Sequence, residues 1–309
     1  MGKTFNILTL DGGGSKGIYS LGILHEVEAK LKSPLANHFD LFYGTSTGAI
    51  IATLLAKGKT VAYIKNLYLE KIPSVMIHLF PKQRTKDLRS VLIDEFKDDT
   101  FDSIQKLIGI VSTSLDERKV KIFKSSSSTA QGRKDSFKPA WGFTIVDALM
   151  ASCAATPFFE KINLENPKEG INFSLMDGGF SANNPTLFAL IDALRALKVQ
   201  RDALRVLNVG TGDFPYRLSP QMICSGFEHV LSRNLISEIL DVSSNTTGLI
   251  TQYLLEDIKI LRISDSFTHP SLATNLLENN KAKLSKMFDQ GKTSFGKKET
   301  EFANYFMEV

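Results

Sequence analysis

The chain has 309 residues, a hydrophobic fraction of 43% and a formal net charge of +4. That length suits an α/β unit, the apolar content supplies a sizeable core, and the composition excludes disorder, collagen and repeat arrays. The mild positive charge permits contact with anionic lipid headgroups but is too weak to argue for a nucleic acid polymer as partner.

In chain order, Phe5 to Leu10 reads as a short buried strand and Gly17 to Lys32 as a helix, with apolar residues at Ile18, Leu21, Leu24, Val27 and Leu31. A second strand is expected at Phe39 to Tyr43. The helix expected after it, Thr47 to Lys57, is apolar nearly all round and so buried. Further helices are expected at Val61 to Glu70, Thr85 to Phe96 and Val146 to Ala155. Strands are expected at Leu107 to Ser114, Val120 to Phe123, Phe173 to Met176 and Leu204 to Val209. Alternating strands and helices argue for an α/β fold with a mostly parallel sheet covered on both faces. Beyond Gly212 the pattern turns mostly helical, with one strand at Ile258 to Ile263. Residues 1–309 are therefore read as a single domain, a core of about 5–213 with a helical extension of about 214–309 packed on it. The polar patch Lys124 to Asp135 reads as a mobile surface loop.

The two cysteines, Cys153 and Cys224, are too far apart for a C-x-x-C pair, which suits a reducing cytosol and calls for no metal. The stretch "MGKTFNILTL" lacks the basic head and long apolar core of a signal peptide. Gly2 is followed by Asn6 where a myristoylation motif wants Ser or Thr. The longest apolar stretches, such as Ala49 to Ala56, are too short to span a bilayer. A soluble cytoplasmic protein is expected.

Three motifs carry chemistry. "DGGGSKG", Asp11 to Gly17, follows a strand and opens a helix. It matches the G-x-G-x-x-G dinucleotide fingerprint, but its bare amides suit an oxyanion equally well. "GTSTG", Gly44 to Gly48, is a G-x-S-x-G at a strand–helix junction, the context of a nucleophile elbow that pushes the Ser46 hydroxyl out of the fold. Alone the pattern is weak, and Ser46 also reads as a plain helix cap. A serine needs a base. None of His25, His38, His78, His229 and His269 lies in a turn-like setting that presents one. "LMDGGFSANNP" offers Asp177 instead, at the end of an apolar strand where a carboxylate is costly unless paired or functional. Gly178 and Gly179 turn the backbone there, and Asn183-Asn184-Pro185 reads as a helix cap followed by proline.

Four segments in order, "DGGGSKG", "FDLFYGTSTGAI", "ASCAATPFF" and "MDGGFSANNP", resemble the patatin-like phospholipases, and "NVGTGD" looks like a strand end of the same family. The resemblance implies a three-layer fold and lipid acyl-ester hydrolysis through a Ser46–Asp177 dyad. It also implies an oxyanion hole at Gly12, Gly13 and Gly14 and no cofactor. Gly44, Thr45, Thr47, Gly48, Lys16, Gly178 and Gly179 would support that site. Lys16 stands where the family usually has Arg, Ala49 where it often has Gly, and Thr156-Pro157 reverses the commoner order.

Phospholipid as substrate follows only from the resemblance. Ser74 to Lys86 sets Val75, Met76, Ile77, Leu79 and Phe80 beside Lys82, Arg84 and Lys86, which reads as a buried segment before a basic turn or as a wedge for peripheral membrane contact. Bacterial members of the family include anti-phage effectors whose membrane-degrading activity is switched on by a cyclic nucleotide, which would imply such an activator and a homo-oligomer here. The rivals are a nucleotide-dependent enzyme built on the glycine loop and a non-catalytic lipid-binding or scaffold protein. Asp11, repulsive to a pyrophosphate, and Gly17, where a Walker motif needs Ser or Thr, count against the first.

Overall fold

The computed structural model of the chain describes residues 4–131, 137–214 and 228–307, with the side chains of the last stretch described from 236 onward. Gly2, Cys224 and part of the polar patch lie outside the described residues. Among the described residues, eight strands form one sheet: β1 (Phe5–Leu10), β2 (Leu41–Thr45), β3 (Leu107–Ser114), β4 (Lys119–Lys124), β5 (Ile162–Asn166), β6 (Ile171–Asp177), β7 (Leu204–Val209) and β8 (Lys259–Ile263). Their order is β5-β6-β3-β2-β1-β7-β8, with β4 also paired to β3. The stretch from β3 to β8 is parallel, while β4, β5 and β6 join antiparallel. The mostly parallel sheet is as expected. The antiparallel flank and β5 were not foreseen, because β5 alternates buried and exposed residues over only 5 positions.

The helices are α1 (Gly17–Leu31), α2 (Thr47–Ala56), α3 (Val61–Met76), α4 (Pro81–Phe96), α5 (Ile145–Ser152), α6 (Gly179–Ala182), α7 (Thr186–Ile191), α8 (Glu228–Leu254), α9 (Lys281–Gly296) and α10 (Glu299–Phe306). They cover both faces of the sheet. Side chains alternate along a strand, so Leu8, Leu10, Phe42, Leu207 and Val209 join one core with α1, α2 and α9. Their neighbours Ile7, Leu41, Tyr43, Leu204 and Val206 join the other with Ala189 and Leu190 of α7.

Several boundaries differ from the sequence reading. β2 starts at Leu41, two residues later than expected, because Phe39 is drawn into ring contacts with Phe42 and Phe306. α3 runs on to Met76, since Val75 and Met76 are buried. α5 stops at Ser152, freeing Cys153 to Ala155 for a turn that includes a cis Thr156-Pro157 bond. Within the polar patch, Ser127–Thr129 form a helical turn and Thr129 and Ala130 are buried, where a mobile loop is expected. Pro185 rather than Asn183 is the residue before α7, although Asn184 Oδ1 still accepts the Thr186 amide at 3.0 Å.

β3 brings two distant strand ends together. Gly109 to Val111 pair with both β2 and β4, so those strands lie on opposite edges. Ser112 to Ser114 pair with both β4 and β6, which puts β6 on the edge that β2 has just left. Thr45 therefore lies opposite Val111, and Asp177 lies opposite the next residue, Ser112.

The α9 helix crosses α1 where both carry glycine. A Cβ on Gly22 would collide with the Phe288 carbonyl, and one on Gly291 with that of Tyr19. Gly22→Ala is expected to destabilise the fold by about 1–3 kcal/mol, the usual range for overpacking. Chemical denaturation checks it, and an unchanged midpoint would show that the crossing is loosely packed.

Candidate active site

Ser46 sits between β2 and α2 at φ 54° and ψ −123°, a backbone conformation that costs a side-chain-bearing residue about 1–3 kcal/mol. The flanking glycines make the turn possible. A Cβ on Gly44 would strike the Gly48 carbonyl, and one on Gly48 would strike that of Leu10. The Ser46 amide donates to Ser152 Oγ at 2.9 Å, and that hydroxyl donates to the Val111 carbonyl at 2.5 Å. The flanking threonines brace the turn. Thr45 Oγ1 donates to the Ala182 carbonyl at 2.7 Å, and Thr47 bonds the Tyr68 hydroxyl at 2.6 Å. Tyr68 in turn donates to the Gly14 carbonyl, tying the elbow to the glycine loop.

Asp177 ends β6 and is only 3% exposed. Its Oδ1 accepts the Gly179 amide at 2.7 Å. Oδ2 is buried without a hydrogen-bond partner of ordinary geometry among the described residues, and the Ser46 hydroxyl acts on the carboxyl from beside it. Burial pushes the carboxyl up to about 6, against the hydrogen bonds from Ser46 and Gly179 that favour the charged form. Gly178 permits the close turn, because a Cβ there would hit the Val111 carbonyl. Cys153 lies beside the pair, its thiol held well above its ordinary range by burial and by the Asp177 charge.

The glycine loop covers this pair. Gly14 has φ +54°, and a Cβ on it would meet the Leu276 carbonyl, while one on Gly13 would meet the Thr211 side chain. The Gly12 amide is taken up by the Asn183 carbonyl at 3.1 Å, so it has no proton to offer a ligand. The Gly13 and Gly14 amides have no acceptor among the described residues. With Ser46 and Asp177 they line an apolar cavity of about 40 Å³, walled by Ile72, Met76, Leu88, Phe158 and Leu276. A hydroxyl beside a buried carboxyl, facing free amides in an apolar slot, is equipped for acyl transfer.

Other sequence-flagged residues serve the scaffold. The Lys16 ammonium is 3.0 Å from both Asp241 oxygens, and the side chain is 3% exposed. Burial raises the Asp241 carboxyl, while Lys16 pulls it back down. Asp11 is held by Arg262 at 2.9 Å and Asn208 at 3.0 Å, with its carboxyl also raised by burial. It is therefore a paired strand-end group and not a bare charge at the loop. The histidines are engaged elsewhere: His38 with Ser33, His78 with Asp87 and His269 with Ser271. His25 packs against Phe288, and the His229 side chain lies outside the described residues.

The sequence reading missed Ser152, whose hydroxyl holds the elbow, and Asn183, whose amide bonds the Leu240 carbonyl and Ser244 on α8. Neither announces itself. Ser152 looks like any small residue near a helix end, and Asn183 looks like a cap.

The similarities of the chain agree with this geometry. It is 42% identical over 301 residues to a cUMP-AMP-activated phospholipase of Escherichia coli, covering 97% of this chain and 93% of the relative. It is 30% identical over 220 residues to a cGAMP-activated phospholipase of Pseudomonas aeruginosa, covering 67% and 62% respectively. Among solved structures, VipD from Legionella pneumophila aligns with a TM-score of 0.50 at 11% identity, over 98% of this chain and 67% of that one, a likeness of fold alone. The patatin-like phospholipase family model matches residues 8–190. The chain belongs to the patatin-like phospholipase family.

Proposed function

We propose that the chain cleaves carboxylic ester bonds of membrane phospholipids with Ser46 as nucleophile and Asp177 as general base, and that a cyclic nucleotide switches this activity on. The observation that carries the reading is the Ser46 hydroxyl beside a buried carboxyl, in a slot faced by the free Gly13 and Gly14 amides. Asp177 takes the hydroxyl proton as Ser46 Oγ bonds to the ester carbonyl carbon. The oxyanion that forms accepts hydrogen bonds from Gly13 and Gly14. Collapse breaks the ester C–O bond, Asp177 returns its proton to the leaving alcohol, and the acyl chain stays on Ser46. Water then gives a proton to Asp177 as its oxygen bonds to the acyl carbon, the Ser46 Oγ–carbon bond breaks to release the fatty acid, and Asp177 returns the proton to Oγ.

Two further features support regulation and membrane contact. At about 40 Å³ the cavity is far below the roughly 300–1,000 Å³ of a working small-molecule site, so an acyl chain needs the slot to open. The relatives named for cyclic-nucleotide activation supply the class of signal. Between Met76 and Leu88, which line the slot, the α3–α4 turn exposes Ile77, Leu79 and Phe80 at 66%, 74% and 73%, next to exposed Lys82 and Lys86. Apolar side chains beside lysines suit an anionic lipid surface. Arg84 departs from that picture, being buried against the Phe158 carbonyl. On α8, Ile239, Val242, Leu249 and Tyr253 are exposed at spacings of three, seven and four residues, which supports self-association, read directly by sedimentation.

Ser46→Ala and Asp177→Asn are expected to lower fatty-acid release from phosphatidylglycerol vesicles by at least about a thousandfold. His269→Ala is expected to keep wild-type activity. Full activity in Ser46→Ala would overturn the mechanism.

The raised Asp177 carboxyl gives two pH signatures. Hydrolysis of a soluble ester should rise with pH, reach half its maximum near pH 6 and level off above it. Because the folded chain holds this proton more tightly than the unfolded one, the stabilisation is complete below about pH 3.8 and lost as pH rises through about 6. Above that the buried charge costs about 3 kcal/mol at most. Asp177→Asn should therefore be inactive yet more stable than wild type at pH 8, with the gap closing toward pH 4. Denaturant titrations at both pH values measure it.

Leu79→Asp with Phe80→Asp is expected to reduce vesicle hydrolysis at least about tenfold while leaving soluble-ester hydrolysis within about twofold. An equal loss on both substrates would place the turn in the slot's architecture and not at the membrane.

A further inference from the structure

A second cavity, of about 620 Å³, lies away from Ser46 on the flank formed by β4 and the segment after it. Its size falls in the range of roughly 300–1,000 Å³ typical of small-molecule sites. Lys119 and Lys121 of β4 line it from one side, and Phe137, Lys138 and Trp141 line it from the turn that follows the polar patch. The Lys121 ammonium stands 4.1 Å from the centroid of the Phe173 ring and 5.2 Å from that of Trp141. Ala140 and Trp141 are both left-handed, at φ 45° and 55°. Two successive non-glycine residues in that region are strained, as residues at binding sites often are.

A carboxylate pairs with each of these lysines. Lys119 lies 2.8 Å from Glu117, which also takes Lys121, and Lys138 is paired with Glu169. At the inner end, Lys124 is 2.6 Å from Asp192, a carboxylate only 1% exposed. Asp192 opens the π-helical stretch Asp192–Ala196 and also accepts from Gln131 and from the buried Tyr43 hydroxyl. Tyr43 is on β2, three residues before Ser46, and Asp192 directly follows α7. The inner wall of the cavity is thus wired to the strand that ends in the elbow.

We infer that this cavity is the regulatory site and binds a nucleotide carrying two phosphodiesters, with a base against Trp141 and phosphates on Lys119 and Lys138. Flat bases stack on aromatic faces and phosphates accept charge-assisted bonds from lysine, so this lining matches both halves of such a ligand. A phosphate reaching Lys124 would draw it from Asp192 and alter the hold of that carboxylate on Tyr43. The assignment rests on the proposed activation by a cyclic nucleotide and adds where that nucleotide binds.

Trp141 is the chain's single tryptophan, so its fluorescence reports occupancy directly. The experiment titrates cyclic UMP–AMP, an equimolar mixture of UMP and AMP, and inorganic phosphate, following fluorescence and vesicle hydrolysis in parallel. Lys119→Gln with Lys138→Gln is the variant, and both side chains are more than half exposed, so the fold is not at risk. Cyclic UMP–AMP should change the fluorescence saturably and stimulate hydrolysis. The variant should need at least about tenfold more nucleotide for both, as expected for two lost charge-assisted contacts. Stimulation without a fluorescence change, or with the variant unaffected, overturns this site and leaves the activation reading standing. A lysine-dependent fluorescence change without stimulation supports the site and overturns activation. Absence of both overturns both. An equal response to inorganic phosphate overturns the nucleotide assignment.

Discussion

The carbonyl of Val111 and the hydroxyl of Ser152 hold the site at one point on β3. β2 ends opposite Val111 and β6 ends opposite the next residue, Ser112, so one edge of β3 passes from β2 to β6 across the gap between the two strand ends. Ser152 fills the gap, donating to Val111 and accepting from the Ser46 amide. The carbonyl of Ser152 takes the Gly178 amide, and that of Ala154 takes the Asp177 amide. One short turn after α5 thereby fixes both the residue before the elbow helix and the residue ending β6. Each buried polar group left unpaired there would cost about 1–3 kcal/mol, so the handover between strands is a stiff constraint and not a loose junction.

Stability is given up at the same place. Ser46 keeps a strained backbone, and Asp177 keeps a carboxyl in a dry slot with one strong amide donor. More hydrogen bonds to Asp177 would steady the fold but lower the basicity that the proposed proton transfer from Ser46 requires. The surroundings resolve this by rigidity. Thr45, Thr47, Tyr68 and the glycine contacts leave the elbow no slack, so the strain cannot relax.

Much of this was legible before any coordinates. The buried strands β1, β3 and β7 are legible to the residue, because short, mostly apolar runs rich in Val, Ile and Leu have few other readings. Ser46, Asp177 and the glycine loop stood out because tight turns demand glycine at fixed positions. What stayed hidden depends on partners distant in sequence. Lys16 read only as a residue supporting the site, and its partner is Asp241, 225 residues away. Asp11 looked like a charge hostile to phosphate until Arg262 was seen beside it. Gly12 looked like a third oxyanion donor, yet its amide serves the Asn183 carbonyl. β5 was invisible because a short edge strand with alternating polarity has no signature separate from a loop.

Those long-range partners also bear on where the working unit ends. The family match spans residues 8–190, and Ser46, Asp177 and the glycine loop all fall within it. Yet the loop is covered by Leu276, Lys16 is anchored by Asp241, Asn183 bonds Leu240 and Ser244, and Asp11 pairs with Arg262. Each of these lies in the last third of the chain. The backbone that presents the Gly13 and Gly14 amides is consequently held from outside the matched region. A displacement of α8 would reach the glycine loop through the Lys16 ion pair and the α6–α7 turn through Asn183 at once. Such an arrangement lets the C-terminal elements set the geometry of a site whose proposed nucleophile and base, Ser46 and Asp177, both lie outside them.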